Sequence, residues 1–210
     1  MTEVQIASAI ESAVTSHEGV TDFPITHAQI EDEVDTLRIR TLEEQDKARL
    51  LVRPYNLSTQ RITFEQKHFK KNSAGKIYVE CPRIMAHDTG ELAVAFVGST
   101  NMEKQYRVVM GRQIKNARAV QWMGSEPIAH FQDGKIYLEN IGTARFSMDA
   151  IFQRPRDLEA YGYNPVLHDY PLSNGAIDVI IGKMTESYIR QLYRVRPQPN
   201  QTVDLPQGNA

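Results

Sequence analysis

The sequence has one cysteine, Cys81, one tryptophan, Trp122, and no apolar run of the ~18 residues that a membrane-spanning helix needs. A single thiol excludes an intrachain disulfide and fits a reducing compartment. The opening residues, Met1-Thr2-Glu3-Val4-Gln5, carry no basic segment followed by an apolar one, so a secretory leader is not expected. Charge of neither sign is in excess. With 24 basic and 26 acidic side chains the net charge is -2, which argues against non-specific binding to nucleic acid or anionic lipid.

Chemistry-bearing motifs are equally sparse. The six histidines, at 17, 27, 68, 87, 130 and 168, show neither His-x-x-His nor His-Glu-x-x-His spacing, and Cys81 has no companion, so no metal and no cofactor is expected. No Gly-x-x-x-x-Gly-Lys-Ser/Thr loop occurs, and Gly98-Ser99-Thr100 lacks the lysine and helix that follow in a phosphate cradle. No repeat of 20–50 residues points to a solenoid or propeller.

What is present is a normal globular balance of 41% hydrophobic and 24% charged residues, with helical periodicity at both ends. Thr2 with Gln5 forms a capping box ahead of Val4, Ile6, Ala7, Ile10, Ala13 and Val14, and Gly19 stops that helix. Thr26 with Gln29 opens a second, after Phe23-Pro24. Its stripe is Ile30, Val34, Leu37 and then Leu50 and Leu51, bounded by Pro54. Its remaining positions, Glu31 to Arg49, are rich in charge and predict a solvated or subunit-contacting face. A third helix is predicted inside Pro171 to Pro199, with the stripe Ile177, Ile180, Ile181, Met184, Tyr188 and Leu192.

Between them the period drops to two. Strands are predicted at 61–66, 76–80, 92–97, 105–110, 127–131, 135–139 and 145–152, antiparallel because few helix-length crossovers separate them. Leu92 to Val97, apolar on both faces, predicts a central strand, and Phe146 to Phe152 a half-buried one. Asp133-Gly134 is a type I′ turn that pairs Phe131 with Ile136 and Ala129 with Leu138 on a core face, leaving His130, Tyr137, Gln132 and Lys135 on the other, toward solvent or a partner. Lys67-His68-Phe69-Lys70-Lys71 reads as a solvated loop, and Gln153 to Tyr170 as a connector. Trp122, Tyr78, Phe96, Tyr106, Phe131 and Tyr137 read as packing residues.

The expected fold is therefore α+β in a single domain, 1–210: N-terminal helices in 1–53, an antiparallel β insertion over 61–152, a C-terminal helix over 171–195 and an extended tail over 196–210. That tail, Arg196-Pro197-Gln198-Pro199 through Asp204, is too proline-rich for a helix. Arg196, Pro197, Pro199 and Asp204 are its candidate contact residues as an inter-subunit or portal-binding arm.

The sharpest catalytic triplet is Asp88-Thr89-Gly90. A retroviral-type aspartic protease supplies one such triplet per chain, works as a dimer and shares a proton between two carboxylates; Ile180-Ile181-Gly182-Lys183 resembles that family's hydrophobic-hydrophobic-Gly element. Against this, Glu91 adds a third negative charge, and Ala86-His87 stands where apolar strand residues usually precede. The triplet also suits a turn between strands ending near Met85 and starting near Leu92, with His87 and Asp88 as a turn pair.

Four passages carry a wider resemblance. Ile25-Thr26-His27-Ala28-Gln29-Ile30-Glu31-Asp32-Glu33, Leu92-Ala93-Val94-Ala95-Phe96-Val97-Gly98-Ser99, the run from Met148 to Leu158, and Tyr170-Pro171-Leu172 together resemble the head-to-tail connector rings stacked under the portal in crAss-like podoviruses. The resemblance implies a non-enzymatic virion protein of the neck, made in the host cytoplasm. It also implies a homo-oligomeric ring, of dodecameric stoichiometry, in contact with the portal and other ring or tail proteins. DNA would pass through the lumen without sequence-specific binding, and no membrane is involved. The alternatives are the dimeric protease at Asp88 and a regulatory binding module that forms no ring.

Overall fold

Helix α1, Glu3–Thr15, begins where the capping box predicts: Gln5 N–H donates to Thr2 Oγ1 at 3.3 Å, and Thr2 N–H to Gln5 Oε1 at 2.9 Å. Helix α2, His27–Lys47, repeats the device with Thr26 and Gln29. The computed structural model describes residues 1–17, 25–48, 59–110, 126–141, 145–164 and 166–195. Gly19, Phe23, Pro24, Leu50, Leu51, Pro54, Trp122 and the whole predicted arm lie outside the described residues.

The third helix, α3, is Asn174–Val195. Its buried side is the predicted stripe of Ile177, Ile180, Met184 and Tyr188, with Ile181 and Leu192 packed at the margin. Helix α3 runs parallel to α1. At one end Tyr170 N–H donates to the Met1 carbonyl at 2.7 Å, and at the other the Tyr193 hydroxyl lies 3.1 Å from His17 Nδ1. Helix α2 runs antiparallel to both, with His27 beside Glu11 at 2.6 Å and Glu33 accepting from the Tyr188 hydroxyl at 2.8 Å. The stripes of these three helices meet in one core, which continues under the sheets among the described residues.

The β region forms two sheets rather than one. Strands β1 (Gln60–Phe64), β8 (Phe146–Ala150) and β4 (Val94–Gly98) form an antiparallel sheet in the order β1-β8-β4. Strands β2 (Phe69–Lys71), β3 (Ile77–Glu80), β7 (Lys135–Glu139), β6 (Ile128–Gln132) and β5 (Arg107–Met110) form the second, in the order β2-β3-β7-β6-β5. Contrary to the antiparallel expectation, β5 and β6 pair in parallel. A parallel pair needs a crossover of roughly a dozen residues, and Gly111 to Pro127 provides the length.

The Asp133-Gly134 hairpin has the predicted register, from Ile128↔Glu139 to Gln132↔Lys135, with φ of 52° and 71° at the two turn residues. Its second face is less open than expected, because His130 is buried under Tyr137, ring to ring at 6.0 Å, and Tyr137 in turn meets Tyr78 at 5.6 Å.

Two strand expectations exchange places. The central strand is β8, flanked by β1 and β4, while the doubly apolar β4 lies at the edge. Phe146, Ser147, Met148 and Ala150 of β8 are all buried. The outer edge of β4 is met at its end by the returning chain: Gly98 bridges Gln105 and Tyr106 N–H donates to Val97 O at 2.7 Å. A Cβ at Gly98 would stand 2.2 Å from the Lys104 carbonyl oxygen, so this close crossing requires glycine. The predicted loop at Lys67 to Lys71 is a 3₁₀ turn, Gln66–His68, followed by β2, because Phe69 has a core partner in Phe146 at 6.1 Å.

Candidate functional site

The charge run of α2 is not wholly solvated. Asp35 and Arg38 are buried, as is Glu3 of α1, and the three turn toward the segment between β8 and α3 that the sequence left as a connector. That segment begins with a 3₁₀ helix, Pro155–Tyr161, opened by its proline and closed by Gly162 at φ 95°. Arg38 holds both of the segment's ends: Nη1 donates to the Phe152 carbonyl at 2.7 Å and Nε to the Pro171 carbonyl at 3.2 Å. The Tyr170 hydroxyl donates to Asp35 Oδ1 at 2.6 Å, and the Arg38 guanidinium sits 5.9 Å from the Tyr170 ring. Arg156 Nη2 bridges Glu3 Oε1 at 2.8 Å and Glu31 Oε2 at 2.7 Å.

Burial sets the electrostatics of this clamp. Desolvation pushes the Glu3 carboxyl up to about 7, against the opposing hydrogen bond from Arg156. It also raises Asp35, against the Tyr170 hydroxyl, and lowers Arg38. Glu3 Oε2 and Asp35 Oδ2 are buried without a hydrogen-bond partner, the arrangement that most favours a protonated carboxyl. Sequence periodicity missed the clamp because charged residues at i, i+3, i+4 on an amphipathic helix ordinarily face water. The one available clue was spacing: Asp35 and Arg38 follow Ile30 and Val34 closely enough to share their side of the helix.

What the clamp positions is a cleft of about 720 Å³ between β1 and the connector. Its lining is mixed: the aromatic side chains Tyr161, Tyr163, His168 and Tyr170 share it with Thr59, Gln60, Arg61 and Thr63 from β1 and its approach and with Asp169, Ser173 and Asn174. Tyr163 and His168 stack at 5.2 Å with their planes 20° apart, and His168 Nδ1 accepts the Asn164 N–H at 2.9 Å. Tyr161 is held by its hydroxyl, which donates to the Glu80 carbonyl at 3.0 Å. Gln60 Oε1 accepts the Phe152 N–H at 3.2 Å, while Gln60 Nε2 and the Tyr163 hydroxyl are buried without a partner. On the same connector Val166 and Leu167 are 58% and 77% exposed.

Two charged surfaces lie elsewhere. The exposed side of α2 is acid-rich, with Asp32, Glu33, Glu43 and Glu44 against Arg40 and Lys47, and of the acids Glu33 accepts from Tyr188 and Asp32 faces Arg154 at 3.9 Å. Lys67, Lys70, Lys71 and Lys76 are exposed around β2 and its turn, Lys67 paired with Glu65 at 3.3 Å and Lys70 with Glu80 at 2.7 Å, above an apolar groove of about 380 Å³ lined by Phe69, Ile77, Leu138 and Ile141.

The predicted site residues fare differently. Arg196, Pro197, Pro199 and Asp204 lie outside the described residues. Asp88-Thr89-Gly90 forms the expected turn, with Gly90 at φ 80° and its N–H bonded to the His87 carbonyl at 2.8 Å. The partner of His87 is Asp46 rather than Asp88: Asp46 Oδ1 is 2.9 Å from His87 Nδ1, and Asp46 Oδ2 accepts the Asp88 N–H at 2.8 Å. Burial pushes the Cys81 thiol up to about 12, which leaves little thiolate at neutral pH. Among the described residues no helix is long and apolar enough to cross a membrane. No family model and no curated protein matches this chain.

Proposed function

We propose that this chain is a structural subunit of a phage head-to-tail connector ring, of the kind stacked beneath the portal in crAss-like podoviruses. The ring joins portal to tail around the DNA channel. The observation that carries this reading is a pair of patches of opposite charge on different elements: the exposed Glu43 and Glu44 of α2 and the exposed Lys71 and Lys76 at the β2 edge. A surface that complements itself gives a closed dimer, whereas two different complementary surfaces on one subunit join head to tail and close a ring when the rotation permits. The edge strand β2 adds a backbone ladder free on its outer side among the described residues, with an apolar groove beside it, so the contact has a core as well as a charged rim.

Charge reversal tests it. In mass photometry and negative-stain images the wild-type chain, alone or with the portal, is expected to give ring-shaped particles. Lys71→Glu with Lys76→Glu is expected to leave monomers, as is Glu43→Lys with Glu44→Lys, and all four changes in one chain restore rings. Wild-type monomers at every concentration, with the portal present, would sink the ring reading. Rings indifferent to the reversals would move the contact to another surface.

A further inference from the structure

We propose that the aromatic cleft at the start of α3 receives the proline-rich segment Arg196-Pro197-Gln198-Pro199 of a second copy of this chain. The inference deepens the ring reading and rests on it, by naming what the arm binds.

The first ground is chemical fit. Tyr161, Tyr163 and His168 present rings along the cleft, above the buried Tyr170, and aromatic grooves dock proline-rich segments. A prolyl ring packs flat on an aromatic one, and its pre-set φ leaves little backbone freedom to lose on binding. Pro197 and Pro199 supply two such rings separated by one residue. Proline has no N–H, so the backbone of the segment offers four carbonyl acceptors against two donors. Gln60 and Tyr163, both lining the cleft, each carry a buried polar atom, Nε2 and the hydroxyl, with no hydrogen-bond partner, which such a carbonyl would relieve. Asp169, which also takes the Met1 ammonium at 3.2 Å, keeps its side chain 90% exposed on the rim and suits Arg196.

The second ground is reach, which decides whose segment binds. The cleft includes Ser173 and Asn174 at the first turn of α3, and the arm leaves after Val195 at the last. A helix of 22 residues places these ends about 32 Å apart at ~1.5 Å per residue. The four residues from Arg196 to Pro199 span at most about 14 Å when fully extended. Pro197 and Pro199 therefore cannot enter the cleft of their own subunit. Within one molecule the donor and the acceptor lie at opposite ends of α3, which is a head-to-tail arrangement. Val166 and Leu167, both large and exposed on the connector that walls the cleft, give a neighbouring subunit apolar surface to cover.

The test uses the full-length protein with benzoylphenylalanine in place of Gln198, prepared with and without ¹⁵N label, mixed in equal parts and irradiated. Mass spectrometry is expected to find mixed-isotope adducts on residues 161–174 or on Gln60. His168→Ala and Leu167→Asp, both at exposed positions, are expected to lower adduct yield roughly ten-fold with an unchanged thermal melt. Adducts confined to one isotope, adducts elsewhere on the molecule, or yields indifferent to both substitutions overturn the proposal. Mass photometry of the same sample separates the two readings. Rings without cleft adducts overturn the docking and leave the ring. Cleft adducts in dimers or open oligomers sustain the docking and remove ring closure. Monomers without adducts overturn both.

Discussion

At Glu3, burial and charge oppose each other. The side chain starts α1 and faces Arg156 from the 3₁₀ helix, Glu31, Asp35 and Arg38 from α2, and Tyr163 from the connector. Its carboxyl ordinarily titrates at 4.5 and is pushed up to about 7 here, first by desolvation. The folded state therefore binds a proton more tightly than the unfolded chain. Stability from this group is fully present below about 4.5 and is lost as pH rises through about 7. Glu3→Gln keeps an oxygen for Arg156 and removes the titration. It is expected to flatten the fall in thermal midpoint across that window and to stabilise the fold at pH 8 by roughly 2 kcal/mol. Urea unfolding of both proteins at pH 5 and pH 8 checks this; an equal pH dependence would place the titrating group elsewhere. Asp35 and Arg38 show why the clamp escaped a one-dimensional reading. Whether a charged residue is a solvated ornament or a buried tie depends on what the connector does overhead.

At the scale of elements, local signals held wherever the partner was local. Both capping boxes, the stripes of α1 and α3, the Ile30, Val34 and Leu37 part of the α2 stripe and the Asp133-Gly134 register depend on residues a few positions apart, and each is found as the spacing predicts. Gly134 at φ 71° is the most exacting of these, since a β-branched residue resists the left-handed region. Gly134→Val is expected to cost on the order of 1–3 kcal/mol and to lower the thermal midpoint by several degrees, read by circular dichroism. An unchanged melt would show that the turn relaxes to another type. Strand order was not legible. Leu92 to Val97 is apolar on both faces, which sequence logic assigns to a sheet centre, yet β4 is an edge strand whose outer edge meets its own returning chain only near Gly98. The centre belongs to β8, whose Ser147 and Asp149 break the apolar pattern because Thr63 and Arg61 of β1 meet them, Arg61 bidentately at 2.6 and 2.7 Å.

For the whole molecule, the described helices bury their stripes against one another, and the fold they make does not draw on the arm for its core. A chain ending at Val195 is expected to melt within about 1 °C of the full-length protein, since surface and terminal changes away from the core have small effects. In mass photometry at equal concentration it is expected to assemble poorly. Full assembly of the truncated chain would show the arm to be dispensable.

The presence of three amphipathic helices, a β insertion between the second and third, and one exact hairpin register followed from residue order alone. Periodicity and turn chemistry act over a few positions, and no distant residue is needed to state them. The division into two sheets, the parallel pair, the burial of Asp35 and Arg38 and the shaping of the cleft are long-range outcomes. Arg38 meets carbonyls at Phe152 and Pro171, more than a hundred positions away, and Tyr170 meets Asp35 across a similar separation. Such pairs cost chain entropy to bring together and leave no periodic trace in the sequence. They became visible only once packing had paired the helices with the connector, the clamp that shapes the aromatic cleft.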